Sequence, residues 1–201
     1  MKLFLNSPIL IFLSLLSFTN QGKNARCFVI PYGDFIVSGL INFYQENETS
    51  EVEIKGTIFG ASKIHGFHIH ENPVTDGNCS NVGNDYNPLN LIHGGPKDTV
   101  RHIGDLGNIK QVGNQININM TDKIISLYNN FTIIGKSCVI HLREDDFGTK
   151  NDNESKENGS SGIITACGVV QNHYKAVGYI FGCLIMFVPL SILGYYSFLM
   201  K

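Results

Sequence analysis

Apolar and polar residues alternate along several short stretches of the chain, and this alternation constrains the fold more than any other feature. It is clearest in residues 35–44, 51–59, 115–120 and 137–141, which also carry many β-branched side chains. Because successive side chains of a strand point to opposite faces, each stretch predicts a β-strand. Between residues 26 and 172 no stretch shows the 3.6-residue apolar period of a helix. This part of the chain therefore predicts an all-β barrel or sandwich.

Two connections between the predicted strands are unusually long, covering about residues 72–105 and 144–162. Structureless loops of this length inside a compact domain are usually functional or disordered. The first is rich in His, Asp, Gly and Pro, so we expect it to be organised. The second contains a polar run from Lys150 to Gly159, which we expect to be solvated and mobile.

The first 19 residues have the pattern of a secretory signal peptide. Lys2 precedes a mainly apolar run that ends at Phe18, and Ser17 to Thr19 offers a tolerable cleavage site. A run of this length is too short to span a bilayer and fits the apolar region of a signal. A buried first helix or an uncleaved anchor is the alternative to a signal peptide over residues 1–19.

A long uncharged stretch, residues 176–200, lies near the end of the chain between Lys175 and Lys201. At about 1.5 Å per residue, a helix of this length would cross a membrane with some tilt. The competing interpretation is a glycolipid-anchor signal, which needs small residues and a polar spacer before the apolar tail. Ser160 to Gly162 would supply the small residues, but cleavage there would remove Cys167. We therefore expect a single transmembrane helix over residues 176–200.

Six N-x-S/T sequons lie between the two apolar ends, more than the composition alone would give. They start at Asn47, Asn78, Asn119, Asn130, Asn153 and Asn158. Such sites are used in the secretory pathway. With the signal peptide, they predict a domain outside the cell at the surface membrane, or secreted or lipid-anchored if the tail is removed. A formal net charge of −2 argues against a nucleic-acid-binding protein.

Three histidines indicate a metal site. His68 and His70 are two residues apart on a strand-like segment, so both imidazoles project from one face and can share a metal. His141 ends another alternating stretch. A single histidine is more often a half-buried structural residue than a ligand, but the chain has only seven histidines and two form this pair. Copper, zinc, nickel and iron all accept three neutral imidazoles, so the trio alone does not choose the metal.

The motifs around these histidines resemble those of the copper/zinc superoxide dismutases, in order and spacing, over about residues 26–170. They are Gly66-Phe-His-Ile-His-Glu71, Asp85-Tyr-Asn-Pro88, His93-Gly-Gly-Pro-Lys-Asp98, Arg101-His-Ile-Gly-Asp-Leu-Gly-Asn108, Asp145-Asp-Phe-Gly148 and Ala166-Cys-Gly168. The resemblance implies an eight-stranded antiparallel Greek-key barrel, usually dimeric, over residues 26–172. It also implies copper and zinc as cofactors and superoxide as the substrate.

The resemblance assigns roles to individual residues of this chain. The matches to copper ligands are His68, His70 and His141, and the matches to zinc ligands are His93, His102 and Asp105. Asp145 matches the carboxylate that orients a copper histidine and a zinc histidine, here His68 and His93. Cys79 and Cys167 match a disulfide that ties the first long loop to the barrel. Cys27 and Cys138 are either buried thiols or a second disulfide, and Cys183 falls in the predicted membrane helix.

Two positions depart from the family pattern. Asp85 stands where the family has a histidine that bridges both metals. A carboxylate can ligate zinc, but we expect this shorter side chain not to span both metals, leaving copper three protein ligands. Ile164 replaces an arginine that guides the anionic substrate, a loss that Lys150 and Lys156 would compensate only in part. The expected activity is dismutation with reduced efficiency, and the alternative is a weak or inactive copper-binding surface protein.

Overall fold

Eight antiparallel strands form the framework of the chain between residues 22 and 173, the part that the computed structural model describes. Their bounds are β1 Lys23–Pro31, β2 Ser38–Gln45, β3 Val52–Phe59, β4 Ile64–His70, β5 Asp105–Val112, β6 Gln115–Asp122, β7 Ser137–His141 and β8 Ile164–Asn172. They close into a barrel in the order β1-β2-β3-β6-β5-β4-β7-β8. The non-consecutive neighbours reflect Greek-key crossovers. The predicted all-β antiparallel barrel is confirmed.

The barrel interior is filled by the alternating apolar residues that predicted the strands. Ile41 and Phe43 of β2, Ile54 and Ile58 of β3 and Ile116 of β6 are all within 1% of complete burial. On β4 and β7 the pattern changes, because nearly every residue on both faces is buried. The outer face of these two strands is therefore covered by other parts of the chain, which are the two long loops.

The first long loop runs from the end of β4 to the start of β5 and contains a short 3-10 helix, Cys79–Asn81. The predicted disulfide between Cys79 and Cys167 is present and joins this helix to β8 across 88 residues of sequence. Cys27 and Cys138 are buried free thiols, so the second disulfide that the sequence left open does not form.

The second long loop contains a helix that the sequence did not predict, while most residues of its polar run are exposed, as expected. It contains one helix, α1, over Asn153–Asn158, with Asp152 accepting a hydrogen bond from the Ser155 amide at 2.8 Å. Gly159 ends the helix in a left-handed conformation with φ of 63°. A Cβ at Gly159 would collide with the Asp145 carboxylate and the His93 ring. The loop is therefore packed directly on the predicted metal ligands.

Residues 1–21 and 174–201 lie outside the described part of the chain, and so do the predicted signal peptide, the predicted membrane helix and Cys183. Within residues 22–173, no helix is both long and apolar enough to cross a membrane.

Candidate metal centre

The predicted copper ligands lie together between β4 and β7. His68 and His70 project from the same face of β4, which pairs with β7 so that His70 lies opposite Ser137. His141 ends β7, and its ring centroid lies 4.8 Å from that of His68 and 5.3 Å from that of His70. The Nε2 atoms of His70 and His141 are 3.2 Å apart. Strand pairing therefore brings three imidazoles to one buried point.

The outer nitrogens of two of these rings are held by backbone carbonyls. Nδ1 of His70 lies 2.7 Å from the Gly83 carbonyl oxygen, and Nδ1 of His141 lies 2.8 Å from that of Gly162. A nitrogen facing a carbonyl carries the proton, which leaves the Nε2 lone pair of each ring free for a metal. Burial, together with the nearby His68 and His70, lowers the pKa of His141 to about 3. This ring is therefore neutral, the form that binds metals.

The predicted zinc ligands form a second group in the first long loop. Oδ1 of Asp105 lies 3.0 Å from Nδ1 of His93 and 3.1 Å from Nδ1 of His102. These three atoms and Oδ2 of Asp85 are buried and have no hydrogen-bond partner. Unpartnered buried polar atoms are costly unless something else satisfies them. Two imidazole nitrogens and two carboxylate oxygens fit a tetrahedral zinc ion.

Asp145 connects the two groups in the manner that the resemblance implied. Its Oδ2 lies 3.0 Å from Nε2 of His68, and its Oδ1 lies 2.8 Å from Nε2 of His93. Asn108 fixes Asp145 with a 2.8 Å hydrogen bond from its side chain to the Asp145 carbonyl and another from the Asp145 amide. One carboxylate thus sets the orientation of a ring in each group.

The carboxylates raise the pKa values of the histidines that they contact. Burial by itself would lower the pKa of His68, but Asp85 and Asp145 overcome it and raise the value to about 10. The pKa of His93 rises to about 12 through Asp105, Asp145 and Asp85, again against burial. His102 rises to about 9 in the same way, through Asp105 and Asp85. A metal entering either group must therefore displace protons.

Asp85 lies between the two ligand groups and approaches nitrogens of both. Its Oδ1 lies 3.1 Å from Nδ1 of His68 and 3.2 Å from Nε2 of His70. Its Oδ2 lies 3.3 Å from Nδ1 of His93 and 3.5 Å from Nδ1 of His102. The two oxygens of this one carboxylate therefore diverge toward nitrogens of different ligand groups, although its side chain is shorter than the histidine that it replaces.

Arg101 supports the zinc group, a role that the sequence did not reveal. Its guanidinium is buried, contacts the Asp122 carboxylate, and donates to the carbonyl oxygens of His102 at 3.2 Å and Asp105 at 2.8 Å. Asp122 in turn accepts from the amides of Ile124 and Ile125. An arginine in a long polar loop is normally exposed, so only the spatial approach of Asp122 identifies this role.

The surface near His141 lacks the family's guiding arginine. Ile164 lies opposite His141 on β8 and packs against Val139 and Cys167. Two lysines were expected to compensate in part for the missing arginine. Lys150 pairs with Asp146 at 3.0 Å, and the Lys156 amine contacts the Gly148 carbonyl, so both amines already have partners.

Sequence reasoning missed a third cation in this region. A Cβ at Gly162 would lie 2.9 Å from Nε of Arg143, so this side chain lies directly against Gly162. Arg143 also donates to Glu154 at 2.6 Å, which neutralises part of its charge.

The barrel and its two adjoining ligand groups define a β-barrel metalloprotein with paired metal sites. A family model described as copper/zinc superoxide dismutase matches residues 37–170. Cu-Zn superoxide dismutase 4 of Dictyostelium discoideum is 44% identical over 138 residues, which cover 67% of this chain and 91% of that protein. Cu-Zn superoxide dismutase A of Xenopus laevis is 40% identical over 147 residues, which cover 73% of this chain and 95% of that protein. The chain belongs to the copper/zinc superoxide dismutase family.

Membership of this family establishes the class of reaction and the metal cofactors. The chain is an oxidoreductase that acts on superoxide, and its cofactors are copper and zinc. The buried ligand groups found here are compatible with both metals, since each group offers four donor atoms within 4.8 Å of one another.

Proposed function

We propose that this chain is a cell-surface superoxide dismutase that converts superoxide to oxygen and hydrogen peroxide at a copper centre whose imidazole ligands are His68, His70 and His141. One observation carries the proposal: the three rings converge, and the carbonyls of Gly83 and Gly162 leave the Nε2 atoms of His70 and His141 unprotonated. Bound copper would supply the one-electron chemistry by which one superoxide is oxidised to oxygen and a second is reduced to hydrogen peroxide. Other residues of the chain hold the three imidazole rings in place and set the charge and the protonation of the groups around them.

We infer that proton delivery is the step this chain performs less well than a member with a bridging histidine. Burial alone would raise the pKa of Asp85, but His68, His102 and His70 hold it well below its ordinary range. Asp85 is therefore an ionised carboxylate near neutral pH and a poor proton donor. Protons must come from water at the substrate side of the site.

Substrate guidance should also be weaker. Superoxide is an anion, and a fixed cation at the mouth of a site raises association rates by about 10–10³-fold. Ile164 supplies no charge, and Lys150 and Arg143 are each paired with a carboxylate. These two departures also favour the second candidate function, a copper-binding surface protein with weak or no catalysis.

The surface location is supported by the sequons. The asparagines of five of the six are exposed: Asn47, Asn78, Asn119, Asn130 and Asn153. Each therefore offers its amide to the glycosylation machinery, and the Cys79–Cys167 disulfide suits an oxidising compartment. Together with the signal peptide predicted over residues 1–19 and the transmembrane helix predicted over residues 176–200, they support a domain tethered to the outer face of the cell-surface membrane. Glycosidase treatment should reduce the apparent mass of the protein, and surface biotinylation should label it on intact cells.

A homodimer is part of the proposal. Phe28 and Ile30 alternate outward on β1 and are 55% and 43% exposed. Two large apolar side chains on one strand face are the kind of surface that a partner subunit covers. Light scattering of the purified protein should give the mass of two chains, and Phe28→Ser with Ile30→Ser should give the mass of one.

The enzymatic proposal is tested by superoxide decay. The full chain is purified in detergent, loaded with copper and zinc, and compared with His68→Ala at equal protein concentration. We expect faster decay than this variant, and a further increase of about tenfold in Ile164→Arg that salt suppresses. Asp85→His should also raise the rate by restoring an imidazole at the bridge position. Bound copper with decay no faster than in His68→Ala would instead establish the copper-binding alternative.

A further inference from the structure

Asp85 is fixed between the two ligand groups by its backbone. Asp85 forms an isolated antiparallel bridge with His70 of β4. The Tyr86 amide donates to the Ile69 carbonyl at 2.8 Å, and the Glu71 amide donates to the Asn84 carbonyl at 3.0 Å. On the other side, the Gly104 amide donates to the Tyr86 carbonyl at 3.0 Å. The chain holds Asp85 between the strand that carries His68 and the loop segment that ends at Asp105.

This close approach depends on the absence of a side chain at residue 104. A Cβ on Gly104 would lie 2.9 Å from the Tyr86 amide nitrogen and would collide with the Ile69 carbonyl. Any other residue would push the loop segment away from β4. The backbone segments at Ile69, Tyr86 and Gly104 therefore contact one another, and this close packing holds the Asp85 side chain near ligands of both groups.

The two oxygens of Asp85 face different ligand groups. Oδ1 approaches Nδ1 of His68 and Nε2 of His70, at 3.1 and 3.2 Å, and these are nitrogens of the copper group. Oδ2 faces Nδ1 of His93 and of His102. Oδ2 is also buried and has no hydrogen-bond partner, as are the three other donor atoms of the zinc group. Asp85 is the one residue shared by the copper and zinc ligand groups among residues 22–173.

We propose that Asp85 is a bridging ligand, with Oδ1 completing the copper group and Oδ2 completing the zinc group through one carboxylate. Carboxylate oxygens are accepted by both metals, and each group then has four protein donors. The bridge resembles the family's imidazolate in position but differs in chemistry, because it offers two oxygens of one carboxylate in place of two ring nitrogens. The inference rests on copper and zinc occupying the site, as in the proposed function, but not on the rate of dismutation.

The test uses magnetic coupling between the sites, which needs no superoxide. The full chain in detergent is loaded with Cu(II) and with either Co(II) or Zn(II) in the zinc group. A shared ligand couples the two unpaired-electron centres, so Co(II) should strongly attenuate the Cu(II) paramagnetic resonance signal, whereas Zn(II) should not. Asp85→Asn keeps the side-chain shape but removes one metal-binding oxygen, so at equal metal content the Cu(II) signal should return.

A matched control separates bridging from zinc binding alone. Asp105→Asn alters the other zinc carboxylate, which faces no copper ligand within the described residues. With zinc absent, Asp85→Asn should lower copper affinity by at least about tenfold, the scale seen when even a supporting group is lost. Asp105→Asn should leave copper affinity unchanged.

Two outcomes would overturn the bridge: equal Cu(II) signals with Co(II) and Zn(II) in the unaltered chain, or unchanged copper affinity in Asp85→Asn. A chain that binds both metals with coupling but does not speed superoxide decay would refute only the proposed function.

Discussion

The copper and zinc ligand groups adjoin each other, yet the chain holds them by different means. His68, His70 and His141 lie on β4 and β7, where the ladder of a closed barrel fixes each ring. His93, His102 and Asp85 lie in a long loop, and Asp105 is the first residue of β5. That loop is held by a disulfide, a buried ion pair and close glycine contacts. The comparison teaches that the copper group depends on the barrel, whereas the zinc group depends on a few specific contacts.

Removing the disulfide should have the largest effect on the difference between the two ligand groups. Cys79→Ser with Cys167→Ser opens a link across 88 residues, and we expect a loss of about 3–5 kcal/mol in the free energy of unfolding. Because Cys79 lies in the zinc-bearing loop, zinc affinity should fall more than copper affinity. Denaturant unfolding and metal titration measure the two effects. If zinc affinity and copper affinity fell equally, the first long loop would support both ligand groups to the same extent.

Arg101→Met should have the next largest effect. It leaves Asp122 as an uncompensated buried charge and frees the carbonyls of His102 and Asp105, at an expected cost of about 3 kcal/mol. Zinc should be lost at lower chelator concentration, while the Cu(II) absorption spectrum stays unchanged. The double variant with Asp122→Leu should recover part of the stability but not the zinc affinity. Recovery of both would mean that Arg101 acts on the fold alone.

Zinc uptake should depend more steeply on pH than copper uptake. In the metal-free chain the raised pKa values of His93, about 12, and His102, about 9, keep both rings protonated at neutral pH. Zinc displaces both protons, so its affinity should rise by about 100-fold from pH 7 to pH 8. In the copper group, His68, with its pKa raised to about 10, releases one proton, whereas His141, with its pKa lowered to about 3, releases none. Competition titrations with a chelator at several pH values measure the slopes, and equal slopes would contradict the assigned proton states.

Asp145→Ala should weaken both groups, because its two oxygens orient a ring in each. Loss of such a supporting carboxylate typically lowers metal affinity by 10–100-fold, or about 1.4–2.8 kcal/mol. Asp146→Asn is the matched control, since Asp146 contacts Ser155 and Gly148 but no metal ligand. If Asp145→Ala lowered the affinity for only one of the two metals, Asp145 would not connect the two ligand groups.

The sequence predicted the strand-borne features better than the loop-borne ones. Alternation located β2, β3, β6 and β7 because it follows directly from strand geometry. Helix α1 was missed because six residues are too few to show a helical period. The partnership of Arg101 with Asp122 joins residues 21 positions apart through a fold that no local pattern encodes. The contacts of Asp85 with nitrogens of both groups depend on the close packing at Gly104, which side-chain length alone does not reveal.

The two buried thiols have a consequence for an enzyme whose product is hydrogen peroxide. Peroxide attacks thiolates, not thiols, and needs access to them. Cys27 and Cys138 are fully buried, and burial beside Cys27 raises the pKa of Cys138 well above its ordinary value. Both conditions for attack are therefore missing at Cys138. The barrel interior therefore protects this sulfur from the hydrogen peroxide that the proposed copper centre would release nearby.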